Sequence, residues 1–235
     1  MSQIAIIYGG AGALGAGLVA SFKAAAWQTV CIDFAENAAA DKNCKLDPSQ
    51  DWAAHAASAK AFLDAAGIAK VNAVVCAAGG FCMENIASDD VFAHVDKMLA
   101  MNLRTAVTTG HIASKYLAED GLVMLTGAKA ALSPTNWAIA YGATKAATHH
   151  IIKSLAAETD ALPKGASIVG ILPITIDTPS NRRDMPDADV STWTPPAAIG
   201  DKVVEWAQGT SRPESGALVE VATTESTKHA FNVVG

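Results

Sequence analysis

Tyr141-Gly142-Ala143-Thr144-Lys145 places a phenol and an ammonium four residues apart, which in a helix puts both side chains on one face. A free tyrosine titrates near 10, and a neighbouring ammonium favours the phenolate and lowers that value. The tyrosine then becomes a proton donor usable near neutrality, while the lysine can also bond a ribose hydroxyl. A second constellation lies near the N-terminus. Gly9-Gly10-Ala11-Gly12-Ala13-Leu14-Gly15 follows an apolar run and contains G-x-G-x-x-G. Glycines there let the backbone approach a pyrophosphate, and the helix that follows offers its unpaired first-turn amides. Asp33 lies 23 residues beyond Gly10, close to the spacing of about 20 expected for a carboxylate that binds a ribose. Such a group accepts bonds from the 2′- and 3′-hydroxyls and repels a 2′-phosphate. No Arg or Lys stands in the loop or directly after Asp33, so NADH is favoured over NADPH. A solvated aspartate at a strand end is the plainer alternative.

These residues need a scaffold, and apolar runs alternate with helical patterns along the chain. Strands are expected at Gln3–Tyr8, Gln28–Asp33, Lys42–Leu46, Val71–Cys76, Gly121–Thr126, Ala166–Leu172 and Ala217–Ala222. Helices are expected from the glycine loop to about Ala26, then over Ser49–Ala66, Asp89–Ala118, Ala138–Thr159 and Ala197–Gln208. Continuous apolar strands alternating with helices mark a parallel sheet covered on both faces. The expected fold is an α/β, Rossmann-type doubly wound sheet in a single domain over residues 1–235. The Pro-containing stretch 173–196 is long for a packed loop, which makes it a substrate-side lid candidate.

The chain has 235 residues, of which 51% are hydrophobic and 17% charged, enough apolar material for a sizeable core. Its formal charge is −6, and the densest basic spot is the pair Arg182-Arg183. Nucleic-acid binding needs clustered cations, so that function class is excluded and a small-molecule partner is expected. Cys31, Cys44, Cys76 and Cys82 form no CxxC and no Cys/His metal spacing. With no signal-peptide pattern and no apolar run of membrane length, the expectation is a cytoplasmic protein with neither metal nor membrane.

Taken together, the glycine loop, Asp33, the turn Ala77-Ala78-Gly79, Asn102, Tyr141, Lys145 and Pro173…Thr178 resemble the short-chain dehydrogenase/reductase family over essentially the whole chain. The resemblance implies a seven-stranded sheet with Tyr141 and Lys145 catalytic and Asn102 supporting Lys145 through water. It also implies a dinucleotide held by Gly9, Gly10, Gly12, Ala13, Leu14, Gly15, Asp33, Ala78, Gly79, Lys145, Pro173, Ile176 and Thr178, with Ile176 offering backbone groups to the nicotinamide amide. Helices around 94–118 and 138–159 would form a homodimer.

Two departures narrow the resemblance. The family's middle glycine is Ala13, and its catalytic serine, 13 residues before the tyrosine, is Ala128. A carbonyl reductase needs that hydroxyl. One branch of the family is similar in lacking it, and also in Gly127–Leu132 and in Leu172–Pro195. That branch uses NADH to reduce a quinonoid dihydropterin to the tetrahydropterin, so this activity and substrate are what the resemblance implies. An electron-poor pterin needs no polarised carbonyl oxygen. In that branch a tryptophan follows the AGG turn, where this chain has Phe81, a ring still able to stack. Phe81, Ala128 and Trp193 are the candidate substrate residues, Trp193 being either a lid anchor or a packed loop aromatic. Arg182-Arg183 reads as solvated, Met98 and Met101 as core or interface filler, and His149-His150 as interface or surface residues. Two rival readings are an NADPH-linked carbonyl or pteridine reductase, which Ala128 and Asp33 oppose, and a non-catalytic dinucleotide sensor, which Tyr141 and Lys145 oppose.

Overall fold

The computed structural model describes residues 3–158 and 160–234. Among them, eight strands form one sheet: β1 (Ile4–Tyr8), β2 (Gln28–Asp33), β3 (Lys42–Lys45), β4 (Val71–Cys76), β5 (Leu117–Thr126), β6 (Ser167–Pro173), β7 (Leu218–Thr224) and β8 (Lys228–Val234). Their spatial order is β3-β2-β1-β4-β5-β6-β7-β8. The first seven run parallel, and β8 returns antiparallel to β7.

Alternate residues of each strand feed opposite faces, as the pleat requires. Ile6 and Tyr8 of β1 join one core with α2 (Trp52–Ala65), α4 (Arg104–Tyr116) and α5 (Ile139–Ala157). Ala5 and Ile7 join the other, with α1 (Ala13–Ala24) and α7 (Pro196–Ala207), where Leu18, Phe22, Val203 and Trp206 are buried. Both faces are covered, which is why the strands read as unbroken apolar runs. The chain winds outward through β1, β2 and β3, then crosses to β4 on the other side of β1. That reversal opens a crevice beyond the carboxyl ends of β1 and β4.

Four expectations are corrected. The seven-stranded sheet has an eighth, edge strand. Its sequence, KHAFNVV, is mostly solvent-facing, and the turn before it uses Glu225 and Ser226 at φ 52° and 62° rather than glycine or asparagine. The long helix expected over Asp89–Ala118 is α3 (Val91–Met98), a π-helical turn (Leu99–Leu103) and α4, after which β5 starts at Leu117. Helix α2 begins three residues late because Asp51 caps it by accepting from Ala54 N at 2.9 Å. The 173–196 stretch is not irregular throughout, since α6 (Pro179–Asp184) and a 3₁₀ turn (Val190–Thr192) lie within it. Helix α5 ends at Ala157, and Thr159 lies outside the described residues.

Helices α1 and α7 meet closely. Ser21 Oγ donates to Asp201 Oδ1 at 2.7 Å, and a Cβ at Gly17 would stand 2.6 Å from Pro196 Cβ and 2.9 Å from its carbonyl carbon. Gly17→Ala raises helix propensity by about 1 kcal/mol, yet overpacking against a rigid ring costs about 1–3 kcal/mol. A lowered denaturation midpoint is therefore expected by circular dichroism, and a raised midpoint would show that α7 yields freely.

Candidate active site

The crevice is lined first by the glycine loop. Gly9 sits at φ 85°, a region open to glycine at little cost. A Cβ there would also lie 2.6 Å from Ala78 Cα. The loops after β1 and β4 are thus locked together, with Ala77 N and Ala78 N both donating to Tyr8 O at 2.8 and 3.1 Å. Helix α1 starts at the N-cap Gly12, which supplies no side-chain cap. Its first helical bond is Ala16 N to Gly12 O at 2.7 Å, so Ala13, Leu14 and Gly15 carry the first-turn amides that every helix start leaves unpaired. Such a cradle suits a pyrophosphate. Asp33 closes its far side, with Oδ2 accepting from Ala11 N at 2.9 Å and Oδ1 from Phe34 N at 2.6 Å.

Helix α5 supplies the second wall. Lys145 is buried and its Nζ donates to Thr126 O at 2.8 Å, while Thr126 Oγ1 donates to Cys76 O at 2.7 Å. Burial pulls the ammonium down to about 8, with Cys76 opposing. Tyr141 behaves otherwise than expected. Lys145 Nζ stands 6.0 Å from its ring centroid, and burial pushes the phenol up to about 12. That burial keeps the hydroxyl protonated at neutral pH.

Asn102 lies in the π-helical turn, a distortion frequent at functional sites. Its Oδ1 accepts from Gly80 N at 2.8 Å, and its Nδ2 donates to Gly80 O at 3.2 Å and Thr144 Oγ1 at 3.1 Å. It thereby ties the β4 loop to α5. Met98 is fully buried against this amide, and Met101 reaches over Gly80.

The outer wall is aromatic. Phe81, 49% exposed, meets Tyr141 edge-on with centroids 5.0 Å apart and lies 6.1 Å from Trp137, itself 45% exposed. Ala128 is buried and extended, and its N–H donates to His149 Nε2 at 3.2 Å. His149 is therefore not a surface residue, unlike the exposed His150. Its burial, with Lys145 and Lys153 nearby, pulls its pKa down to about 4.

Beyond β6, which ends at Pro173, the carbonyl of Ile176 already accepts from Asn181 Nδ2 at 2.8 Å. Thr178 caps α6, its Oγ1 accepting from Asn181 N at 3.1 Å. Trp193 is 5% exposed, and the next residue, Thr194, pairs with Thr223 of β7 at 2.7 Å. Arg182 is engaged by Asp177 through both Nε and Nη2. Glu84, Trp137 and His149 were not singled out from the sequence for this site. Trp137 carried a usable signal, an aromatic four residues before Tyr141, whereas a lone loop glutamate carries none.

Residues 3–189 match the short chain dehydrogenase family. The chain belongs to that family. A dihydropteridine reductase from Dictyostelium discoideum is 46% identical over 224 residues, which are 95% of this chain and 96% of that one. Two solved structures share the fold. A short-chain dehydrogenase/reductase from Serratia marcescens is 20% identical with TM-score 0.78, covering 96% of this chain and 98% of its own. A dehydrogenase from Burkholderia cenocepacia with bound NADP is 18% identical with TM-score 0.73, covering 97% and 94%. This short-chain dehydrogenase is an NAD(P)H-dependent oxidoreductase. Among the described residues, no helix is long and apolar enough to cross a membrane, and no group of three or more His, Cys, Asp or Glu is placed to hold a metal.

The buried His149 generates a pH prediction. Its ordinary value is 6.5 and its folded value about 4, so below 6.5 the unfolded chain binds a proton that the folded one refuses. Stability present above pH 6.5 is lost as the pH falls toward 4, by up to about 3 kcal/mol. Urea midpoints measured across that window should fall less in His149→Gln than in the parent, and parallel curves would remove His149 as the source.

Proposed function

We propose that this protein uses NADH to reduce a quinonoid dihydropteridine, such as the dihydrobiopterin form, to the tetrahydropteridine. The observation that carries the reading is Ala128, a methyl group where a carbonyl reductase needs a hydroxyl, beside an intact Tyr141 and Lys145 on α5. The Dictyostelium relative named dihydropteridine reductase supports it.

The cradle of Gly9–Gly15 fits a dinucleotide, because the glycine-lined backbone and the uncapped start of α1 leave donors for its phosphates. Asp33 would hold the ribose hydroxyls and disfavour a 2′-phosphate. Ala78 and Gly79 would line the cleft, Lys145 would bond the second ribose, and Pro173, Ile176 and Thr178 would flank the nicotinamide end. With the Ile176 carbonyl shared with Asn181, its N–H is the group left to contribute. When bound, the dinucleotide supplies the hydride. Tyr141 supplies the proton to the pterin nitrogen system from a phenol that is protonated at neutral pH. Phe81 and Trp137 offer flat faces for a fused ring. The whole chain would act as one domain, with 173–196 as a substrate-side lid, and would pair into a homodimer through the helical regions around 94–118 and 138–159.

A steady-state assay with freshly generated quinonoid dihydropterin tests the reading. Turnover with NADH exceeding that with NADPH is expected, and no turnover with either would refute it. Tyr141→Phe should lower kcat by about 100- to 10,000-fold, the worth of a positioned acid, with the KM for NADH nearly constant. Asp33→Ala should shift the NADH-to-NADPH ratio of kcat/KM toward NADPH by about tenfold, which corresponds to about 1.4 kcal/mol. An unmoved ratio would deny Asp33 its ribose role.

A further inference from the structure

Helix α5 carries Tyr141 and Lys145, yet its own N-cap, Ala138, provides no side-chain hydrogen bond. The first turn is completed from elsewhere. Glu84 Oε1 accepts from Ala140 N at 2.8 Å, across 56 residues of sequence, and Ala140 is the residue directly before Tyr141. Oε2 of the same carboxylate meets His94 Nδ1 of α3 at 3.1 Å. The Glu84 side chain is completely buried. Its backbone is fixed as well, with Glu84 N donating to Trp137 O at 3.1 Å and Glu84 bridging to Ala138 in parallel fashion. Three residues earlier in the same loop, Phe81 packs edge-on against the Tyr141 ring.

A buried carboxylate at a helix N-terminus complements the partial positive charge and the free amides there. An acid inside the protein is retained only where its oxygens are satisfied, and both oxygens of Glu84 are. From this geometry we infer that Glu84 is a positioning residue for the reaction: it caps α5 at Ala140 and so sets the Tyr141 hydroxyl relative to the wall that carries Phe81. The inference rests on the reading of Tyr141 as proton donor. Glu84 touches none of the reacting groups and acts through one amide and one loop.

The test uses the full chain, NADH and quinonoid dihydropterin, with Glu84 substituted in both the parent and the Tyr141→Phe background. Glu84→Ala is expected to lower kcat by about tenfold while the KM for NADH stays within about twofold, because a misplaced donor costs rate rather than dinucleotide affinity. Glu84→Gln keeps an oxygen for Ala140 N, and His94 can accept from the new amide in its other tautomer. That variant should recover kcat to within about threefold of the parent, as an intact cap predicts. In the Tyr141→Phe background, Glu84→Ala should cost less than about twofold more, since groups acting as a unit are non-additive. Should Glu84→Ala fail to fold, Glu84→Asp takes its place: it keeps the charge but is one methylene too short, and the same loss and the same non-additivity are expected. Equal losses in both backgrounds, or no loss in the parent background, would overturn the inference. A parent enzyme inert toward the pterin would instead overturn the proposed function, so the two failures are distinguishable.

Discussion

A buried ammonium dictates how the candidate site is built. Lys145 is 4% exposed, and withdrawing such a charge from water costs several kcal/mol after relaxation. Thr126 O accepts from its Nζ, and the burial itself lowers its pKa to about 8. The surroundings must therefore hold still. Thr126 is fixed through its own hydroxyl to Cys76 O. A Cβ on Gly79 would come within 3.1 Å of both Lys145 Nζ and Asn102 Oδ1, so glycine is the residue that lets the β4 loop close over the two. Strand ends β4 and β5, the π-helical turn and α5 are in this way organised around one charge.

Burial sets the state of the neighbours of Lys145 on α5, and the Lys145 charge adds to it at His149. Tyr141, Lys145 and His149 follow one another at four-residue steps and share a helix face. Burial first, and then repulsion from Lys145 and Lys153, hold His149 neutral far below its usual range. Neutral imidazole has an acceptor nitrogen, and Ala128 N–H uses it. The segment after β5 is thereby pinned in an extended conformation, φ −159° and ψ 138°, that presents only a methyl group.

Local spacing was readable in advance and remote contact was not. The glycine loop, Asp33 and the Tyr–Lys step announce themselves because each is a short pattern or a fixed spacing along the chain. The parallel core strands were legible for a similar reason: burial on both faces leaves an uninterrupted apolar run. Strand β8 escaped notice because an edge strand with one wet face and a turn of Glu225-Ser226 lacks both signals. Glu84 was invisible because its partner amide is 56 residues away, and no periodicity links a loop acid to a helix start. His149 was misread because adjacent histidines on a helix look alike in sequence, while the 100° between them places one inside and one outside. The Tyr141 titration was misjudged for a subtler reason. Proximity along the helix is not proximity of charge: Lys145 turns toward Thr126 and leaves the phenol to burial.

That last difference bears on which substrates suit the site. A phenol lowered toward neutrality would spend part of its time as phenolate, unable to donate. One raised to about 12 is a loaded but weak acid, and a weak acid transfers its proton readily only to a strong base. A carbonyl must be polarised before hydride arrives, which calls for a donor at position 128, and the methyl of Ala128 provides none. A quinonoid pterin is electron-poor already. It accepts hydride without prior polarisation and becomes strongly basic at nitrogen only afterwards. Under the proposed function, a protonated phenol at Tyr141 and the methyl of Ala128 both suit a substrate that needs no polarised carbonyl.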